Sequence, residues 1–221
     1  MDGNIQCKFF NPFAEIAQHE SRLPHWQQPG ATYFLTYRLA DSIPKALMER
    51  WLTNREAWQN AHPKPWTLEQ ALEFERCFGG QIEGYLDALH GACTLRRPET
   101  ARLVAEVLQH FDGDRYLHHA WVIMPNHVHM LFTLRADRKL ENEVKAWKGV
   151  SARRINAQLA RAGDFWQRDY FDRIIRDTDH FWRCTHYIHS NPEKCHLKEG
   201  EFILYEYPPI KDALAQARGG R

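Results

Sequence analysis

His127 and His129 stand two residues apart in the run His127-Val128-His129-Met130-Leu131-Phe132-Thr133-Leu134. On a strand successive side chains face opposite sides, so the two imidazoles project together while Val128, Met130 and Phe132 project from the other face. Two neutral imidazoles side by side can chelate a divalent metal, and a carboxylate or amide from another element would complete a site for magnesium or manganese. A histidine pair on an apolar strand must satisfy four ring nitrogens, and each one buried without a partner costs about 1–3 kcal/mol. One metal would serve both rings, although a His-x-His spacing alone is short and recurs without a metal. His118 and His119, in the preceding run, face opposite ways; at most one can join the pair, and both are expected to be packed, structural histidines.

Tyr170 lies in Trp166-Gln167-Arg168-Asp169-Tyr170-Phe171-Asp172-Arg173, a polar setting for two adjacent aromatics. A phenol there can act as a nucleophile, but with a free pKa near ~10 it needs a polarised phosphate and nearby cations to do so at neutral pH. Arg168, Arg173 and Arg176 can clamp phosphates, as exposed arginines do only where the geometry converges. Between residues 145 and 183, nine Lys and Arg face five Asp, a local basic excess inside a chain whose net charge is +1. That excess suits a polyanion and equally suits a solvated helix face.

These residues need a scaffold. Residues 31–39, Ala-Thr-Tyr-Phe-Leu-Thr-Tyr-Arg-Leu, are aromatic and β-branched after Gly30 and predict a central strand. Residues 116–124 and 127–134 are apolar runs split by Pro125-Asn126, a hairpin signature. Helical periodicity marks 44–90, broken near His62-Pro63-Lys64-Pro65 and read as two or three helices, partly an insertion. A helix is predicted from Pro98 to about Leu108, and another through Leu140, Val144, Trp147, Ile155 and Leu159, capped by Asp137 and closed by Gly163. A last helical stretch takes in Ile174, Ile175, Phe181 and Tyr187 and stops at Asn191-Pro192. Strand, helices, hairpin, helix and helix in that order predict an α+β fold, an antiparallel sheet covered by helices.

With 221 residues and 43% hydrophobic content, the chain is expected to form a single domain, 1–221, with an extended lead-in over 1–30, the helical insertion over 44–90 and a C-terminal tail over 200–221. Five scattered cysteines without a CxxC pair are expected to be reduced. The start lacks a basic leader followed by an apolar run, and no segment approaches the roughly 18 apolar residues of a membrane span, so a cytoplasmic protein with no membrane partner is expected. No GxxxxGK[ST] loop is present, and no nucleotide cofactor is expected.

Trp121-Val122-Ile123-Met124-Pro125-Asn126-His127-Val128-His129-Met130-Leu131 resembles the HUH strand of bacterial single-tyrosine transposases, in particular the REP-associated tyrosine transposases. Three further segments resemble that family: His25-Trp26-Gln27 with Gly30-Ala31-Thr32-Tyr33-Phe34, Phe165 through Arg173, and Tyr187-Ile188-His189-Ser190-Asn191-Pro192. Four ordered motifs over residues 25–200 are more specific than any one of them. The resemblance implies a ferredoxin-like sheet, His127 and His129 as ligands of Mg2+ or Mn2+, and Tyr170 as nucleophile on a helix beside them. Some relatives place a glutamine ligand one helical turn after the tyrosine; that position is Ile174 here, leaving Asp172 and Gln167 as candidates for a third ligand. The implied substrate is single-stranded or hairpin DNA, cut and rejoined through a 5′-phosphotyrosine by a bacterial monomer or homodimer. Bases would stack on aromatics, and phosphates would meet Lys148, Arg153 and Arg154 besides the three arginines above. Two rivals remain: a non-catalytic regulator that binds hairpin DNA, and a metal-dependent phosphoesterase that uses water.

Overall fold

The computed structural model describes residues 5–14, 17–20 and 24–219; parts of the lead-in, at 1–4, 15–16 and 21–23, and the tail end, 220–221, lie outside the described residues. In chain order the elements are β1 (Ala17–Glu20), β2 (Pro24–Gln27), β3 (Thr32–Arg38), α1 (Lys45–Ala61), α2 (Leu68–Phe74), α3 (Gly80–Asp87), α4 (Pro98–Gln109), β4 (Tyr116–Ile123), β5 (His127–Leu134), α5 (Leu140–Gln158), β6 (Phe171–Ile174), α6 (Thr178–Lys194), β7 (Ile203–Glu206) and α7 (Pro208–Gly219). A π-helical turn, Glu75–Gly79, joins α2 to α3. The lead-in is not merely extended: β1 and β2 pair with each other in a small antiparallel sheet.

The main sheet runs β6-β3-β5-β4-β7, antiparallel throughout. Its first four strands with α4 and α5 follow the β-α-β-β-α-β order of a ferredoxin-like sheet, so the expected fold class stands. β7 and α7 come from the stretch read as a tail; β7 extends the sheet beyond β4, and α7 packs on the face that carries α6. Tyr33, Leu35, Tyr37, Trp121, Val128, Met130 and Phe132 pack under α4 and α5. The opposite face, with Phe34, Val122 and Leu131, packs against Phe181, Cys184 and Ile188 of α6 and Leu214 of α7. β4 carries a bulge between His118 and Ala120, which leaves His118 against Trp147 of α5 and turns His119 towards Phe181 of α6. The two histidines therefore do face opposite layers.

The helices over 45–87 form a third apolar cluster, in which Trp51, Phe78, Ile82 and Leu86 meet Phe171 of β6. The two ends of this stretch meet, because Asp41 Oδ2 accepts the backbone N–H of Ala92 at 2.8 Å.

Three local expectations change. Residues 171–174 form an edge strand rather than helix, since four residues, Phe-Asp-Arg-Ile, are too few to declare a period and pairing with β3 decides it. α5 starts after Lys139 with no side-chain cap and ends before Gly163, so neither Asp137 nor Gly163 bounds it. α6 runs past Asn191-Pro192 to Lys194, because a proline so near a C-terminus sacrifices one backbone bond and no more. No helix among the described residues is long and apolar enough to cross a membrane.

Candidate active site

The β3–β5 register places Thr36 opposite His129 and Arg38 opposite His127, all on the face that carries α6. Both histidines are fully buried, and their Nε2 atoms converge to 2.9 Å. Each Nδ1 is held from outside: His127 Nδ1 meets Asn126 Oδ1 at 2.7 Å, and His129 Nδ1 meets Thr36 Oγ1 at 2.6 Å. The His129 ring lies between Phe34, stacked at 5.5 Å, and Tyr187, edge-on at 5.0 Å.

The proton positions follow from the partners. Asn126 Nδ2 donates to the carbonyls of Leu86 and His90, so Oδ1 faces His127, Nδ1 of that ring carries the proton, and Nε2 presents a lone pair. His129 has two options, because a threonine hydroxyl both donates and accepts. With Nδ1–H donating to Thr36, both Nε2 lone pairs point at one place, which is what a shared cation requires. Two cis ligands of an octahedral metal at ~2.1 Å stand about 3.0 Å apart, close to the separation observed. Burial holds both rings neutral, with His127 pushed down to about 3 and His129 lowered by burial, by its neighbour His127 and by the charges of Arg173 and Lys194. The pair thus fits a divalent metal, with Asn126 and Thr36 orienting the ligands from behind.

A third ligand does not follow from acidic residues, since no group of three His, Cys, Asp or Glu among the described residues could hold a metal. Asp172 lies opposite Leu35, which directs it from the sheet edge towards the α4/α5 layer, away from the histidines. Gln167 donates its backbone N–H to Arg38, so Arg38 stands between it and His127.

The structure brings Tyr187 to the pair. Its hydroxyl lies 3.4 Å from His129 Nε2, on a half-buried ring that α6 carries. Burial holds the phenol protonated, well above its ordinary range, reinforced by Glu83 and Asp87 and opposed by Arg173. One turn further, the buried carboxamide of Asn191 donates to Asp87 Oδ1 at 3.4 Å, and Lys194 forms an ion pair with Asp87 at 2.5 Å. Arg173 reaches the same place from β6, paired with Glu83 at 2.8 Å and over the Phe34 ring at 4.7 Å.

Tyr170 occupies the irregular segment before β6 and packs against the α4/α5 core, with Lys148 Nζ 6.0 Å from its ring centre. Burial, Asp172 and Glu141 hold its phenol protonated. Lys148 donates to the carbonyl of Arg168 at 2.6 Å, and burial lowers its ammonium to about 8. Arg153 and Arg154 are exposed on α5, in the layer on the other side of the sheet, and Arg154 pairs with Glu106. Arg176 is exposed just past β6. Of the cations singled out in the sequence, Arg173 is the one placed beside the histidines; Lys194 and Asp87 were not singled out, and Asn191 entered only as part of a motif and as a helix stop. A signal for Tyr187 was present in its motif, Tyr187 to Pro192, with Asn191 one helical turn after the tyrosine.

Among curated protein sequences none matches this chain. Of solved structures, a REP-associated tyrosine transposase bound to a REP hairpin aligns over 79% of this chain and 74% of its own, at 15% identity and a TM-score of 0.45. A candidate transposase from Deinococcus radiodurans R1 aligns over 83% of this chain and 97% of its own, at 14% identity and a TM-score of 0.35. Residues 97–191, which hold α4, the β4–β5 hairpin with both histidines, α5, β6 and α6 as far as Tyr187 and Asn191, match the family model of IS200-like transposases, in line with the resemblance read from the motifs.

Proposed function

We propose that this chain cuts and rejoins single-stranded DNA at a hairpin, with Tyr187 as the nucleophile. The observation that carries the reading is the Tyr187 hydroxyl beside two converging, neutral imidazoles, with Arg173 and Lys194 close enough for their charges to act on His129. The hairpin substrate follows from the motif resemblance and the IS200-like match.

His127 and His129 would hold Mg2+ or Mn2+, which when bound polarises the scissile phosphate and supports the departing oxygen. Arg173 and Lys194 bind the phosphate by charge-assisted hydrogen bonds. The Tyr187 oxygen attacks phosphorus and forms the P–O bond as the bond to the 3′ oxygen breaks; the phenol proton passes to one of the nearby carboxylates, Glu83 or Asp87, and the departing 3′ oxygen takes up a proton from water to leave as a hydroxyl. A 5′-phosphotyrosine keeps the bond energy, so the strand is resealed by reversal without a nucleotide cofactor. The half-buried setting of Tyr187 keeps it protonated until phosphate displaces the carboxylates from Arg173 and Lys194.

Tyr170 is the second reading, supported by its motif and by Lys148 over its ring. A denaturing gel of a labelled hairpin with manganese separates them: Tyr187→Phe abolishes a protease-sensitive adduct that Tyr170→Phe retains. The opposite pattern would move the nucleophile to Tyr170. Cleavage without adduct would make the protein a phosphoesterase, and binding without cleavage a regulator.

A further inference from the structure

Between the helices over 45–87 and the β6 edge lie two adjoining cavities. The inner one, about 160 Å³, reaches Thr36, the residue that holds His129, and is floored by Trp51 and Phe78. The outer one, about 290 Å³, is lined by Trp66, Phe74 and Phe10 together with Lys64 and Arg176, and the two share Arg55, Phe74, Asp172 and Arg173. Trp66 and Phe74 pack on each other at 4.7 Å, with Lys64 Nζ 5.2 Å from the Trp66 ring centre and the Arg55 guanidinium 5.8 Å from that of Phe74. Four cations, Lys64, Arg176, Arg55 and Arg173, thus line the two cavities, where the Glu83 carboxylate is already paired with Arg173 and Asp172 contributes from a β6 position whose side chain is directed to the opposite face.

Aromatic faces interleaved with cations suit unpaired nucleotides, because every base has a face to stack and every phosphate a charge to neutralise. A cavity at the low end of the roughly 300–1,000 Å³ of small-ligand pockets has room for a base and none for a duplex. We propose that this cleft binds an unpaired nucleotide of the DNA strand, its base against Trp66 and Phe74 and its phosphate between Lys64 and Arg176, and leads the strand inward to the histidines. The inference rests on the proposed function and adds a role for the helices over 45–87: they select single-stranded DNA next to the hairpin.

Hairpins with and without a single-stranded tail, the tail carrying 5-iodouracil, would be bound to the full-length Tyr187→Phe protein, irradiated, and the cross-linked peptide mapped. Cross-links at Trp66 or Phe74 are expected. Lys64→Glu with Arg176→Glu, both at exposed positions, should weaken tailed DNA by about tenfold and leave the blunt hairpin unchanged. Tails that cross-link elsewhere, with a double variant that keeps the wild-type preference, overturn the inference and leave the proposed function standing. Failure to bind either DNA overturns both.

Discussion

His118 and His119 allow the packing of β4 to be tested by acid. Each ring has one satisfied nitrogen, His118 Nε2 at 3.1 Å from the Leu108 carbonyl and His119 Nε2 at 2.8 Å from Thr133 Oγ1, and each Nδ1 is buried without a hydrogen-bond partner among the described residues. Protonation would bury an unpaired cation, so burial lowers His118 to about 4 and His119, which also feels His118, to about 3. Above the unfolded value near 6.5 both rings are neutral in both states and contribute no pH dependence. Below it the unfolded chain takes up protons that the folded chain refuses, and stability falls by about 1.4 kcal/mol per pH unit for each ring until the folded value is reached. Between pH 7.5 and 5 that is about 2 kcal/mol per histidine, or about 4 kcal/mol together, a large share of the ~5–15 kcal/mol of a typical domain. Urea unfolding in EDTA at both pH values, for the wild type and for His118→Gln/His119→Gln, reads the difference directly. The double variant should lose about 4 kcal/mol less than the wild type over that interval. Equal losses in the two proteins would show that these rings are hydrated or paired in solution and would refute the reasoning.

Thr36→Val removes the group behind His129 Nδ1 and should weaken manganese binding by about 10–100-fold in titration calorimetry, with an unchanged affinity counting against the histidine pair as the metal site. Ser151→Ala leaves the buried Trp166 Nε1–H, now donating at 2.9 Å, without an acceptor and should cost about 1–3 kcal/mol by urea unfolding. Gly91 sits at φ +88, where an added Cβ would meet the Asp41 carbonyl oxygen at 2.6 Å; Gly91→Ala should cost about 1–3 kcal/mol, and a neutral result would mean that the junction yields.

Strand alternation alone places His127 and His129 on one face and His118 and His119 on two, because β4 and β5 are long enough to declare their period and Pro125-Asn126 marks the turn between them. The tyrosine was harder to place. Tyr170 has cations before and after it in sequence, but those neighbours alternate across an edge strand and an irregular lead-in, so Arg173 goes to the histidine side and Asp172 to the other. Tyr187 has no such local setting: its partners are Glu83, Asp87 and Arg173, supplied by segments with no fixed spacing to α6. The covering of the histidines by α3 and α6 was illegible for the same reason, resting on pairs such as Asp87 with Lys194.

The distances along the chain also set when the histidine site can assemble. Thr36 meets His129 across 93 residues, and His129 meets Tyr187 across a further 58. At about 5–20 residues per second of synthesis, β3 waits roughly 5–20 s for β5, while α1 to α3 can fold at once from local contacts. Of the residues around the histidines, Tyr187 and Lys194 emerge last. A ribosome-bound chain therefore lacks the complete cluster of Thr36, His127, His129 and Tyr187, which assembles only when α6 closes on the sheet.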